Sequence, residues 1–97
     1  MKHFLLTYTL APDYLDRRPA FRGAHLALAR AAVERGELLL GGALEGAEEA
    51  MLLFAGEDAS AAEAFPKGDP YVLNGLVVAW RVREWVTVVG EGAAAPV

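Results

Sequence analysis

The order of apolar and polar residues along the chain predicts four β-strands. The first is aromatic and β-branched with partial alternation, as strands with one exposed face often are. The middle two are short apolar runs on either side of a polar turn at Glu45–Glu49, and such runs are typical of buried strands. The last is a longer apolar stretch that can consist of two pieces bent near Glu84. The predicted strands are Lys2–Leu10, Glu37–Leu44, Ala50–Ala55 and Leu76 to about Val89.

A helical spacing of apolar residues marks the long segment after the first strand. Ala11-Pro12-Asp13 breaks that strand, and the helix is predicted from about Asp16 or Pro19 to Arg35. Gly36 follows at once, and glycine just past the last helical residue is a common C-terminal signal.

A second helix is predicted to begin at Ser60, because Glu63 stands three residues later as in a capping box. Pro66 limits the length of this helix. Asp69-Pro70-Tyr71 then predicts a short helical turn that ends at Asn74-Gly75.

The resulting order, β-α-β-β-α-β, predicts one α+β domain of the ferredoxin-like arrangement over residues 1–89. Its antiparallel sheet carries both helices on the same face, because crossover connections are right-handed. Residues 90–97 form a Gly- and Ala-rich tail that we expect to be flexible.

Several of the predicted strands are apolar on both faces, although two helices cover only one face of a sheet. A monomer rarely exposes so large an apolar patch. We therefore expect a homodimer, packed sheet to sheet, that can assemble further into a higher oligomer. The apolar runs are Leu38–Leu40, Met51–Phe54 and Leu76–Trp80.

Composition removes several classes of function. The 97 residues include no cysteine, which excludes a thiol nucleophile, a disulfide and an iron–sulfur cluster. Ser60 is the only serine and is assigned to a helix start, so we do not expect a serine hydrolase. A net charge of -4 argues against electrostatic binding of nucleic acid. No apolar run reaches the roughly 18 residues that span a bilayer and no signal-peptide layout is present, so we expect a cytoplasmic protein without membrane segments.

The first predicted helix turns Arg22 and His25 towards its apolar side, which is costly unless both are hydrogen-bonded or line a cavity. His25 is either a core histidine with a structural partner or a general acid or base. Arg22 is either a side chain at the edge of the apolar arc or an anchor for a carboxylate or enolate. The apolar arc consists of Phe21, Leu26, Leu28, Ala29, Ala32 and Val33, and Arg30, Glu34 and Arg35 lie outside it.

Asp69 also allows two interpretations. Aspartate followed by Pro70 is ordinary chemistry for the start of a helix. Alternatively, Asp69 meets His25 and fixes its tautomer, as the carboxylate does in a catalytic triad. Tyr8 and Tyr71 are either core residues with a polar tip or donors of a hydroxyl to a pocket.

Two glycines inside the second strand, Gly41 and Gly42, predict either a bulge or a place where a ligand approaches the backbone. No glycine-rich segment matches a nucleotide-binding motif, and two histidines leave little material for a metal site. We expect neither a metal nor a cofactor.

At these positions the chain resembles the YCII-like family. The similarity comprises Arg22-x-x-His25-Leu26, the strand ending Leu39-Leu40-Gly41-Gly42, and Asp69-Pro70-Tyr71-Val72 with Gly75 before the last strand. It implies a dimeric ferredoxin-like fold, an α+β barrel formed by two chains, with a His–Asp pair between helix and sheet. A few members of the family resemble dehydrochlorinases.

Two functions remain open. In the first, the protein is a small cofactor-free enzyme that performs proton abstraction, isomerisation or elimination on an anionic or phenolic molecule. His25 is then the acid or base, Asp69 orients it, Arg22 and Tyr71 hold the substrate, and Gly41-Gly42 leaves room for it. In the second, the protein is a metabolite-binding or interaction module, and the His–Asp pair is structural. A cofactor-free redox reaction ranks lower, since only analogy of fold supports it.

Overall fold

The computed structural model describes residues 1–97 and contains four strands and three helices. The first strand has the predicted bounds, and the other strands differ from the prediction by one to four residues at their ends. The elements are β1 (Lys2–Leu10), α1 (Tyr14–Glu34), β2 (Leu38–Ala43), β3 (Glu49–Gly56), α2 (Ser60–Gly68), α3 (Pro70–Leu73) and β4 (Val77–Trp85).

The four strands form one antiparallel sheet in the order β2-β3-β1-β4. This confirms the predicted ferredoxin-like β-α-β-β-α-β arrangement. In the centre, Tyr8 of β1 lies between Ala50 of β3 and Trp80 of β4. Alternate residues of β1 and β3 therefore point towards the helices and form the core, which includes Phe4, Leu6, Tyr8, Leu52, Phe54, Ala32, Phe65 and Tyr71.

Helix α1 begins earlier than the sequence predicted. It starts at Tyr14 and continues through Pro19, which is exposed. Proline has no amide hydrogen to donate to the carbonyl four residues earlier, and at an exposed position water can hydrate that carbonyl instead. At its other end Gly36 has a φ of 77°, and the amide of Glu37 donates to the carbonyl of Ala32. This is the glycine-terminated Schellman arrangement, and it confirms the predicted stop.

The capping box predicted for α2 is wrong. Ala59 is the N-cap, and the amide of Ser60 donates to the Asp58 carboxylate over 2.9 Å. Hydrogen bonds from Ser60 hold the pKa of Asp58 below its ordinary value. The helix also continues two residues beyond Pro66, to Gly68. An aspartate two residues before the first helical turn thus supplies the acceptor that was assigned to the serine.

Strand β4 ends at Trp85 rather than near Val89. Its antiparallel partner β1 begins at this end of the sheet, with His3 opposite Trp85, so β1 offers little further backbone for pairing. After Trp85 the chain lies outside helices and strands. Within residues 86–97, Thr87 accepts a hydrogen bond from the amide of Ala94 over 2.7 Å. The flexibility of residues 90–97 stays a prediction.

No helix covers the face of the sheet away from α1 and α2, although His3 and Thr7 on this face are buried and His3 contacts the Thr87 hydroxyl over 2.7 Å. The strand register directs Leu5, Thr7, Met51 and Leu53 to this face. It also directs Arg81 and Arg83 of β4 there, opposite Thr7 and Leu5. The face is therefore less apolar than the sequence runs suggested. None of the three helices combines the length and the apolar character of a membrane-spanning segment.

Candidate functional site

The carboxylate of Asp69 is fully buried and accepts three hydrogen bonds. The Tyr8 hydroxyl donates to Oδ2 over 2.7 Å. The amide of Tyr71 donates to Oδ1 over 3.0 Å, and Nδ1 of His25 lies 2.8 Å from the same oxygen. Buried carboxylates need such donors, since removing a charge from water is otherwise expensive.

Local sequence explains why the carboxylate sits there. Asp69 is the N-cap of α3 and Pro70 occupies the first helical position, so the backbone turns at this point and brings the side chain back over the Tyr71 amide. Its remaining lone pairs point to β1 and α1, where they meet Tyr8 and His25.

His25 is fixed by this contact. A carboxylate only accepts hydrogen bonds, so Nδ1 carries the proton and Nε2 is left as the free ring nitrogen. The imidazole stacks on the Tyr71 ring, with ring centres 3.9 Å apart and planes 10° from parallel. The Phe65 ring meets the imidazole edge to face, with ring centres 6.2 Å apart. The ring therefore has one defined orientation.

Burial also affects the two tyrosines beside this carboxylate. Burial, followed by the negative charge of Asp69, raises the pKa of Tyr8 far above its ordinary value. Burial and the neighbouring Tyr14 raise the pKa of Tyr71 to about 12, while Arg22 and Arg18 act in the opposite direction. Both phenols consequently stay protonated at neutral pH and can donate hydrogen bonds.

Next to His25 is a cavity of about 390 Å³ between α1 and the sheet. Most of its lining is apolar, and polar side chains, His25 and Tyr71 among them, interrupt it. A volume of this size suits a small organic molecule. The polar lining side chains are Tyr8, Tyr14, Arg18, Arg22, His25, Arg30 and Tyr71.

Gly41 and Gly42 border the cavity on β2. Gly41 lies opposite Leu52, which faces the helices, whereas Gly42 lies opposite Met51 on the other face of the sheet. A Cβ atom at Gly41 would lie 3.4 Å from Leu52 Cγ, which is ordinary contact. The irregularity of the β2–β3 pairing falls between Leu38 and Leu40, so the bulge alternative for the glycines is wrong.

The structure brings together every residue that the sequence singled out for the site: Arg22, His25, Gly41, Gly42, Asp69 and Tyr71 line the cavity or contact a residue that does. The predicted contact between His25 and Asp69 is present. Their roles in a reaction stay a prediction.

Sequence reasoning missed Tyr14, Arg18 and Arg30. Arg30 is exposed, in agreement with its assignment outside the apolar arc, but it also lines the cavity with Arg18. The signal was the row Arg18, Arg22, Leu26, Arg30, which repeats every four residues and so follows one side of the helix.

The strand order and the helices on one face define the protein as a ferredoxin-like α+β domain, and its His–Asp pair faces a cavity between helix and sheet. A family model for the YCII-related domain matches residues 1–86. The chain belongs to this family.

Similar solved structures extend the comparison. A 5-chloro-2-hydroxyhydroquinone dehydrochlorinase from Burkholderia phenoliruptrix AC1100, in complex with 2,5-dihydroxybenzoquinone, has a TM-score of 0.74 at 23% identity, over 88% of this chain and 94% of that one. A NIPSNAP domain protein from Burkholderia xenovorans has a TM-score of 0.55 at 12% identity, over 96% and 98% of the two chains. A NIPSNAP family protein from Agrobacterium tumefaciens has a TM-score of 0.57 at 8% identity, over 95% of each chain. At these identities the likeness concerns the fold. No curated protein matches the chain.

Proposed function

We propose that this protein is a small-molecule enzyme that performs acid–base chemistry without a cofactor, with His25 as the acid or base. The observation that carries the proposal is the 2.8 Å contact between His25 Nδ1 and the buried Asp69 carboxylate, which leaves Nε2 free beside the cavity. Imidazole suits proton transfer near neutral pH, and a carboxylate on its other nitrogen holds the tautomer.

The other polar groups have supporting roles in this proposal. Arg22 binds an anionic or phenolic oxygen of the substrate, and the protonated hydroxyl of Tyr71 donates a hydrogen bond to it. Gly41 gives the substrate room on the β2 side, since a side chain there would point towards the cavity, and Gly42 borders the cavity with its backbone.

Elimination is the reaction that we favour within this class. Nε2 of His25 removes a proton from a ring hydroxyl of the substrate's keto tautomer, in which the carbon that carries chlorine also holds a hydrogen. The electron pair of the O–H bond forms a carbonyl, the neighbouring ring double bond shifts by one position, and chloride leaves with the electron pair of the C–Cl bond. The loss of HCl balances the step without an oxidant or reductant. The proton then passes from the imidazole to water. The similar dehydrochlorinase supports this choice of reaction.

Chloride release from 5-chloro-2-hydroxyhydroquinone tests the proposal. Positioned acid–base catalysis contributes roughly 10²- to 10⁴-fold, so His25→Ala should lower the rate of chloride release by about that factor. Arg35→Ala, at the end of the same helix and paired with Glu37, is the control and should retain the rate. Turnover that survives His25→Ala would contradict the assignment of His25.

A second function is favoured by one specific observation: Asp69 also caps α3 and accepts from Tyr8, which are structural tasks. In a metabolite-binding or interaction module, Asp69→Asn should lower stability and change ligand affinity little. In the enzyme, asparagine is still a good N-cap, so the fold should persist while the rate falls. Unfolding in urea and chloride release, measured on the same variant, separate the two.

We further propose that the protein is a cytoplasmic homodimer, joined through the face of the sheet that no helix covers. Leu5, Met51 and Leu53 on that face support this, since apolar residues on an uncovered sheet face favour association. No nucleic acid or membrane has a part in this proposal.

A further inference from the structure

Three arginines of α1 line the cavity with no acidic partner. Arg18, Arg22 and Arg30 make no ion pair in the structure, and the cavity lining contains no aspartate or glutamate. Two other arginines nearby in sequence do have acidic neighbours, Arg17 at 4.0 Å from Asp13 and Arg35 at 3.0 Å from Glu37. In a chain of net charge -4, the cavity is thus a locally positive region.

Two of these arginines surround the end of the cavity that holds His25. The guanidinium carbon of Arg18 lies 5.7 Å from the centre of the Tyr14 ring, and that ring contacts Tyr71 edge to face at 5.5 Å. Arg22, one turn later, faces the same cavity. Both charges lower the pKa of Tyr71, so both act on the ring that stacks on His25.

Arg30 is eight residues after Arg22, which places it about 12 Å further along the helix axis. His25 stands between them, three residues after Arg22. Arg18 and Arg22 are neighbours on the helix surface because four residues separate them, so both guanidinium groups can reach one carboxylate, whereas Arg30 lies beyond His25.

Arg22 and Arg30 are exposed and Arg18 is half-buried, so solvated arginines are the plain alternative to a ligand-binding role. The spacing of Arg18 and Arg22 favours a ligand. Like charges four residues apart on a helix repel each other and destabilise it. Arg18 and Arg22 have this spacing, although Glu and Asp side chains are more numerous in the chain than Lys and Arg, 13 against 9. An anionic ligand between the two guanidinium groups would remove the repulsion.

We infer that the molecule accepted by this cavity carries a negatively charged oxygen group, a carboxylate or an ionised phenol, on a flat apolar ring. Arg18 and Arg22 together hold this group, and the reacting position of the ring lies beside His25. The inference rests on the proposed function and narrows its substrate class. Arginine matches the geometry of a carboxylate with two parallel donors, and the apolar lining, which includes Leu26 and Leu52, contacts the ring.

Benzoate and benzamide form a matched pair of probes for this inference, because they share shape and differ in charge. Each is titrated into isotopically labelled protein and followed by NMR. We expect wild-type protein to bind benzoate at least about tenfold more tightly than benzamide, as charged hydrogen bonds are stronger than neutral ones. The ratio of the benzamide dissociation constant to the benzoate dissociation constant should fall towards one in Arg18→Gln and in Arg22→Gln. The affinity for benzamide should stay unchanged within about twofold.

Arg35→Gln removes the same charge directly after the end of the same helix, outside the cavity, and should keep the wild-type ratio. A wild-type ratio near one, including no binding of either probe, would overturn the inference. So would an equal loss of the ratio in Arg35→Gln, because it would reveal a general effect of charge. Amide spectra of each variant establish that the fold persists.

His25→Ala separates this inference from the proposed function. That variant should retain the preference for benzoate, since the imidazole is not the anchor. Should the acid–base proposal fail, turnover would survive His25→Ala while the arginine-dependent ratio stayed intact. Should only this inference fail, the ratio would be absent while turnover still depended on His25.

Discussion

Nδ1 of His25 lies 2.8 Å from Oδ1 of Asp69, and the same oxygen accepts the Tyr71 amide over 3.0 Å. One oxygen atom therefore caps a helix and fixes an imidazole. The sequence presented these as alternatives for Asp69, but they are compatible, because a carboxylate oxygen has two lone pairs and the N-cap uses one. The position of the imidazole consequently depends on the start of α3.

Tyr8→Phe tests how strongly the site depends on the other oxygen of Asp69. The variant removes the only donor to Oδ2 while keeping the ring, and Oδ2 is fully buried. A buried acceptor that loses its partner costs about 1–3 kcal/mol, so the free energy of unfolding in urea should fall by about this amount. Tyr14→Phe is the control, since the Tyr14 hydroxyl makes no contact with Asp69. If the free energy of unfolding fell equally in the two variants, the hydrogen bond from Tyr8 to Asp69 would not explain the loss in Tyr8→Phe.

Most of the fold follows from local signals in the sequence. The bounds of β1 were predicted to the residue, and Gly36 and Asn74-Gly75 were recognised as the ends of α1 and α3. These features depend on residues close together in the chain, such as a glycine that adopts positive φ. The end of β4 was missed because it is set by β1, whose residues are far away in sequence.

The candidate site was predictable only in part for the same reason. His25 and Arg22 stood out because polar residues on an apolar helix face need an explanation. Their link to Asp69 spans 44 residues, and no local pattern establishes it. Arg30 was assigned outside the apolar arc and is exposed, but periodicity alone cannot show that it also lines a cavity.

Gly41→Val should weaken ligand binding, and Gly42→Val should not. The strand register directs a side chain at position 41 towards the cavity, near Leu52, and one at position 42 to the opposite face, near Met51. Valine is well tolerated in strands, so neither change should disturb β2 strongly. The dissociation constant of benzoate is the measurement, and we expect roughly a tenfold increase for Gly41→Val because the added methyl groups occupy the space of the ring. Equal effects of the two changes would contradict the assigned orientation.

Alkaline pH should destabilise the protein through Tyr71. Its pKa is about 12 in the folded state against an ordinary value of 10.0, so the folded state holds the proton more tightly than the unfolded state. The stabilisation is complete below pH 10 and is lost as the pH rises towards 12. The free energy of unfolding, measured at intervals from pH 9 upwards, should fall more steeply for the wild type than for Tyr71→Phe. Tyr8 contributes to both slopes, so the difference reports Tyr71, and parallel slopes would contradict the shift.

Leu53→Glu should convert the proposed dimer into monomers. Leu53 lies on β3 with its side chain on the face away from the helices, opposite Leu5 of β1 and Leu40 of β2. A buried carboxylate without a partner is costly, so glutamate there opposes any interface on this face. Sedimentation equilibrium should give wild-type protein about twice the chain mass of 10.4 kDa and the variant a single chain mass. Leu15→Glu, at an exposed position of α1, adds the same charge away from the sheet and should remain dimeric. Wild-type protein that sediments as a monomer, or a Leu53→Glu variant that stays dimeric, would show that this face is not the interface.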